Sequence, residues 1–233
     1  MLSKLKDVAI INRFTYPEVL MKVYETERNV VYMPTYYSGN KDGYAIVDIS
    51  SLSSEYTYYE LSPNLLHAMD SAVCYALIFN SGIFKTYIGK YANANRRVLV
   101  KMSVLVEFEI PYIDDVELQA ALDRVERTIE HLSWCKKQGL SLSYAELKMS
   151  TFELLREALV WSLYCQPIME QHQLHILSEW KNFFQCYNHI HDINAFADEV
   201  LQQFILYEHP LKSEILMVSY IEPELKSYYI SQL

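Results

Sequence analysis

The stretch Ala76–Leu132 constrains this chain more than any other. A two-helix run broken at Asn80-Ser81-Gly82 leads into a basic segment, then a strand ending in Pro111, then a helix with apolar residues at heptad spacing. Asn-Ser-Gly is helix-stopping chemistry, because Gly and Asn accept the backbone conformations that close a helix. No all-helical or all-strand fold accommodates that order of parts, so the first half is expected to be α+β.

The preceding residues support this. Val30-Val31-Tyr32-Met33, Tyr44-Ala45-Ile46-Val47 and Tyr56–Leu61 are rich in β-branched and aromatic residues and read as short strands. Tyr37–Gly43 between them is a turn or exposed loop. Ser62 and Pro63 read as N-cap and first helical residue of a helix carrying Leu66, Met69, Val73 and Leu77. A shorter helical run carries Ile83, Phe84, Tyr87 and Ile88. Val106, Phe108 and Ile110 then alternate with Glu107 and Glu109, as in a half-solvated strand.

Asp114-Asp115 supply N-terminal carboxylates for the next helix, where Leu118, Leu122, Val125, Ile129 and Leu132 follow at spacings of 4, 3, 4 and 3. Two readings fit: a coiled-coil seam of two heptads offered to a partner, or a helix docked on its own domain. Gly139 ends it. Beyond, Ser150-Thr151-Phe152-Glu153 matches a capping box. Phe152, Leu155, Leu159 and Leu163 form one stripe and Leu154, Ala158 and Trp161 another, so that helix should be central. Pro167 opens a run in which Ile176, Trp180, Phe183, Tyr187 and Ile190 keep the period, and Ile193–Phe204 marks a further helix. The expected organisation is α+β: a mixed domain of short strands and helices over 1–117, a spacer helix over 118–139, and an acidic all-helical domain over 140–233.

Charge sorts the partners. The 233 residues are 51% hydrophobic and carry a net charge of −9, which opposes indiscriminate nucleic-acid binding. The charge is uneven, however. Ser71–Val106 holds no Asp or Glu but includes Lys85, Lys90, Arg96, Arg97 and Lys101, a local balance of +5, whereas Ser141–Leu233 has 5 basic and 12 acidic residues, a balance of −7. Any polyanion contact belongs to the first half. No apolar run reaches the roughly 18–20 residues that span a bilayer, and Met1–Asp7 lacks the apolar core of a signal peptide, so a cytoplasmic location is expected. Cys74, Cys135, Cys165 and Cys186 are dispersed among apolar residues and imply no disulfide.

Motifs of catalysis are absent: there is no G-x-G-x-x-G, Walker loop, G-x-S-x-G, H-E-x-x-H or Asn-Pro-Pro-aromatic tetrapeptide. Glu146-Leu147-Lys148 and Glu224-Leu225-Lys226 have the Glu-x-Lys form of some nucleases, yet lack an upstream Pro-Asp and read as solvated surface charges. His172 and His175, one turn apart with Glu179 a turn further, have ligand-like spacing, but semi-exposed polar-face histidines are the simpler reading. No metal or cofactor is expected. Two segments suit contact with DNA. Asn93-Ala94-Asn95-Arg96-Arg97 offers guanidinium forks for guanine or phosphate. Tyr36-Tyr37-Ser38-Gly39-Asn40-Lys41 combines rings, an amide and a cation, although tyrosines in β-rich domains commonly pack their rings and solvate their hydroxyls.

The run Tyr75–Gly82 through Ile88-Gly89-Lys90, then Val100–Val106, Ile110-Pro111 and the carboxylate-rich opening of a heptad helix resembles the target-recognition domain of type I restriction-modification specificity subunits. Leu5-Lys6-Asp7-Val8-Ala9 looks like that family's first strand. The resemblance covers about residues 1–135. The chain departs from the family's pattern in its short helix, its single recognition domain and its helical C-terminal segment. The resemblance implies a half-size, non-catalytic, sequence-specific DNA-recognition subunit that positions a methyltransferase. Lys85, Lys90, Asn93, Asn95, Arg96, Arg97, Lys101, Tyr36, Tyr37, Asn40 and Lys41 are the expected contacts to double-stranded DNA. Leu118, Leu122, Val125, Ile129 and Leu132 are the expected contacts to a methyltransferase subunit or a second copy. The alternative is a protein-binding adaptor or regulator that keeps the recognition fold without DNA affinity.

Overall fold

A computed structural model describes residues 2–15, 29–38, 45, 52, 56–64, 71–91, 97–207 and 209–233, with backbone alone at 14–15, 37–38 and 97–98. The chain divides into two compact units, Met1–Asp115 and Val116–Leu233. The first mixes helix and sheet, and the second is helical among its described residues. The chain is therefore α+β, as its element pattern predicts.

In the first unit, β2 (Ala9–Thr15), β3 (Val31–Pro34) and β5 (Thr57–Pro63) form an antiparallel sheet with β5 in the middle. Leu61 lies between Ile11 and Val31 in register, and Glu60 between Asn12 and Tyr32. Antiparallel sheets commonly leave one face in water, but the consecutive Tyr58, Tyr59, Glu60 and Leu61 are all buried, so β5 is covered on both faces. The Val30–Met33 and Tyr56–Leu61 strands thus form where expected. Tyr44–Val47 lies outside the described residues apart from Ala45. Ser62 and Pro63 do not open a helix: they end β5, opposite Ile10 and Ala9, because cross-strand pairing prevails over local capping propensity.

The next described helix is α2 (Ala72–Phe79), all eight of whose residues are buried. The Asn29 side chain accepts the Ala72 N–H at 2.6 Å. At the expected break, Asn80 holds the Ala45 backbone from both sides, donating from Nδ2 to its carbonyl at 3.0 Å and accepting its N–H at 2.7 Å. Helix α3 (Gly82–Gly89) follows. Its Phe84 and Tyr87 meet Phe108 with ring centroids 5.1 and 5.0 Å apart, and Phe79 lies 5.8 Å from the same ring.

Of two further expected strands, one is replaced by a helical turn and the other is shorter than the sequence suggests. Leu5–Val8 is a single helical turn, α1, between β1 (Leu2–Lys4) and β2, and its Leu5 and Lys6 N–H groups reach the carbonyls of Phe108 and Val106. Of the 106–110 alternation, Val106 and Glu107 form a turn after helix α4 (Met102–Leu105), and only its end is strand, in β7 (Glu109–Pro111), which pairs antiparallel with β1.

The second unit is built on α5 (Val116–Lys137), α6 (Ala145–Tyr164), α7 (Gln166–Gln171), α8 (Ile176–Tyr187), α9 (Ile193–Ile205) and α10 (Pro210–Gln232). Helix α6 is central, touching the other five. Gly139, at φ +68°, closes α5 in a left-handed C-cap: its own N–H bonds Lys136 and that of Leu140 bonds Cys135. Ser150 and Thr151 are inside α6 rather than at its cap, their hydroxyls bonding the Leu147 carbonyl, and the helix begins after Tyr144. Of its two expected stripes, Leu154 is exposed and Leu163 half-buried. The run expected from Pro167 to Ile190 breaks at His172–His175, where Gln173 has φ +56°.

Candidate nucleic-acid interface

The two segments singled out for DNA contact are far apart in sequence, and their described parts, Tyr36–Ser38 and Arg97, meet in one pair of strands. Strand β4 (Tyr36–Ser38) lies antiparallel to β6 (Arg97–Leu99), with Tyr36 opposite Leu99, Tyr37 opposite Val98 and Ser38 opposite Arg97. The chain leaves β4 after Ser38 and enters β6 at Arg97, so both segments continue from the same end of one two-stranded ribbon. Asn40, Lys41, Asn93, Asn95 and Arg96 lie outside the described residues, and Tyr37 and Arg97 are described as backbone only.

The ribbon forms because one continuous stretch serves two sheets. Residues 31–34 pair with β5 and residues 36–38 with β6, and the change occurs at Thr35. Thr35 donates its N–H to the Thr57 carbonyl and accepts the Val100 N–H, each at 2.9 Å. Tyr36 and Leu99 stand side by side on the ribbon, 53% and 45% exposed. Such a pair offers an exposed ring and an apolar contact for a groove edge.

Lys85, Lys90 and Lys101 are all exposed. Lys85 is on α3, Lys90 caps its end, and Lys101 precedes α4. Tyr87 stacks edge-on against half-exposed Tyr91 at 5.5 Å and donates its hydroxyl to the Val104 carbonyl at 2.7 Å, which fixes the end of α3 against α4. Lys4 and Lys6 are differently placed, as both bind Glu107, Lys6 at 2.6 Å. The hydrogen bond from Lys4, and then that from Lys6, lowers the Glu107 carboxyl to about 2.

The expected partner seam is occupied. Leu122, Val125, Ile129 and Leu132 are buried within the helical unit and Leu118 is half-buried. Helix α5 packs on α6, α8 and α9, and the Trp180 indole donates to the Ala121 carbonyl at 2.9 Å. Arg124 bonds the Ile190 carbonyl at 2.7 Å and lies 4.6 Å over the Phe196 ring. Four of these five residues are core, Leu118 lying half-buried at the helix start, and the helix belongs to the unit that begins at Val116 rather than forming a separate spacer over 118–139.

Other candidate chemistry resolves as structure. His172 pairs with Glu224 at 3.0 Å, and the His175 backbone donates to Glu214 at 2.7 Å, so the two histidines and Glu179 do not share a helix face. No metal-holding group of His, Cys, Asp and Glu occurs among the described residues. Lys148 of the first Glu-x-Lys pair is 2% exposed and bound to Asp198 at 2.6 Å, so it is a buried cation rather than a solvated one.

All four cysteines are free; Cys186 is exposed, contrary to the apolar setting expected, and burial pushes the Cys165 thiol up to about 12. One grouping was not legible in the sequence: His131 Nε2 lies 3.5 Å from Cys135 Sγ and 3.2 Å from Asn194 Oδ1. Both contacts fall on the same ring nitrogen, and Cys135 is buried. A nucleophile–base–orienter relay uses both nitrogens, so this grouping is a packing contact.

No described helix is long and apolar enough to cross a membrane. No family model, curated protein or solved structure matches the chain.

Proposed function

We propose that the first unit is a non-catalytic, sequence-specific reader of duplex DNA that positions a partner methyltransferase. The observation that carries this reading is the β4–β6 ribbon, which sets Ser38 of the Tyr36–Lys41 segment opposite Arg97 of the Asn93–Arg97 segment. A two-stranded ribbon is narrow enough to enter the major groove. Exposed Lys85, Lys90 and Lys101 on the acid-free stretch supply phosphate contacts, and the resemblance to recognition domains of specificity subunits points the same way. Because Leu118–Leu132 is core, a methyltransferase partner or a second copy meets the chain elsewhere. The net charge of −9 favours the second reading, a protein-binding adaptor.

Fluorescence anisotropy with a labelled duplex across a salt series separates the two. Each phosphate contact contributes about 0.9 to the slope of log affinity against log salt. Arg96→Ala/Arg97→Ala should weaken binding and flatten that slope by up to about 2, with the thermal unfolding of the second unit unchanged. Salt-independent or absent binding by the parent rejects DNA recognition in favour of the adaptor. Equal affinity in mutant and parent removes the Asn93–Arg97 segment from the site.

A further inference from the structure

The end of the ribbon, where Ser38 faces Arg97, has a defined place only if the ribbon is held at a fixed angle to the sheet that carries it. A two-stranded pairing is marginal by itself, and this one spans three residue pairs. Its orientation must be set at its base. Two of the bonds there are backbone to backbone, from Thr35 N–H to the Thr57 carbonyl and from Val100 N–H to the Thr35 carbonyl.

A third comes from a side chain. The Tyr59 hydroxyl donates to the Val100 carbonyl at 2.8 Å in a buried setting. Tyr59 is on the central strand β5, in register between Arg13 and Met33, and is 3% exposed. Val100 directly follows β6 and is itself 1% exposed. Both backbone groups of the residue at the ribbon's foot are thereby tied to the three-stranded sheet, the N–H through Thr35 and the carbonyl through Tyr59. Burial raises the Tyr59 hydroxyl above its ordinary value of 10.0, with Arg13 and the Met102 backbone opposing, so it remains a donor at neutral pH.

We propose that Tyr59 is a positioning residue: by bonding the Val100 carbonyl it sets the angle of the β4–β6 ribbon, and with it the discrimination between base sequences. This rests on the DNA-reading role proposed above. Phosphate contacts tolerate small rotations because a cation attracts from many angles, whereas base-edge hydrogen bonds need alignment. Loosening the ribbon therefore costs discrimination before it costs affinity.

Tyr59→Phe keeps the ring in the sheet and removes only the donor. Hydrogen exchange at Tyr36–Ser38 and Arg97–Leu99 should accelerate roughly tenfold, the scale of one buried hydrogen bond, while exchange in β2, β3 and β5 stays as in the parent. A duplex selected by the parent from a randomised pool should lose roughly tenfold of its preference over an unrelated duplex, with non-specific affinity and salt slope retained. Unchanged ribbon exchange overturns the anchoring. Accelerated exchange with preference intact, or equal loss of affinity for both duplexes, overturns the positioning role. A parent that selects no duplex overturns DNA reading and the discriminating role together, and the exchange measurement still decides the anchoring.

Discussion

Arg156→Met is the sharpest probe of what holds the second unit together. Arg156 Nη1 lies 3.5 Å from Glu126 Oε2, with the arginine side chain 7% and the glutamate 1% exposed. The pair is far from an ideal fork: it has one long contact, and Arg156 Nε has no hydrogen-bond partner. Its own worth is therefore small, since desolvating both ions offsets most of their attraction. Removing the arginine is another matter, because Glu126 is then a buried charge without its cation, which costs about 3–5 kcal/mol. Glu126 retains other interactions, which places the expectation near the lower figure, about 3 kcal/mol. At about 2.1 cal/mol/K of unfolding entropy per residue, the unit Val116–Leu233 loses roughly 4 °C per kcal/mol, a fall of about 12 °C. Glu126→Leu/Arg156→Met, which replaces the pair by apolar groups, should return to within about 1 kcal/mol of the parent. Trp134, Trp161 and Trp180 are all the tryptophans of the chain and all lie in this unit, so indole fluorescence follows its unfolding selectively. A fall below about 4 °C for Arg156→Met, or a double variant no better than the single one, refutes the claim that the arginine holds a buried charge.

Val125→Asp puts a carboxylate where exposure is 0%, at a cost of several kcal/mol against a total stability of about 5–15 kcal/mol for a domain. Circular dichroism and indole fluorescence should show the helical unit unfolding; a unit that stays folded while an assembly dissociates returns the stripe to a partner seam. Glu107 is held at about 2, below its ordinary 4.5, by Lys4 and Lys6, so its stabilising contribution is fully present above about pH 4.5 and is lost as the pH falls towards 2. Carboxyl resonances should give a Glu107 midpoint near 2 that rises in Lys4→Ala/Lys6→Ala; a midpoint near 4.5 in the parent rejects the cluster.

Local signals were legible where local chemistry decides. The break at Asn80-Ser81-Gly82, the stop at Gly139 and the apolar periods of α8 and α9 appear in place, and that of α6 does so except at Leu154 and Leu163. Ser62-Pro63 misled because the same two residues suit a helix start and a strand end, and pairing with Ala9 and Ile10 decides between them. Ser150-Thr151 misled for a related reason: hydroxyls that cap helices also bond a carbonyl one turn back, here that of Leu147. The ribbon was out of reach. Its composition could be read, but the pairing of 36–38 with 97–99 is long-range and depends on a strand changing sheets at a threonine with no distinctive sequence environment.

The heptad helix shows how a correct period can still leave the partner undecided. Leu118, Leu122, Val125, Ile129 and Leu132 repeat identically whether the stripe faces another chain or its own domain, so spacing alone does not discriminate. The width of the buried face does. A two-stranded coiled coil buries a narrow seam and leaves the flanks to charged residues, whereas a helix docked among several neighbours needs a wider one. In α5 a second row, Ala121, Thr128 and Cys135, repeats at seven residues beside the first and is also buried. The side chains at all three positions are small or uncharged, α5 packs on α8 and α9 as well as on α6, and the Trp180 indole reaches the Ala121 carbonyl. That second row is present in the sequence, and its width argues for docking. The same criterion places the burial of Glu126 beside the first row: a charge on the flank of an exposed seam stays in water, and here it lies against Arg156 of α6 instead. Helix α5 is therefore fixed by contacts on more than one side, and a partner that needs a helix from this chain must take it from another element.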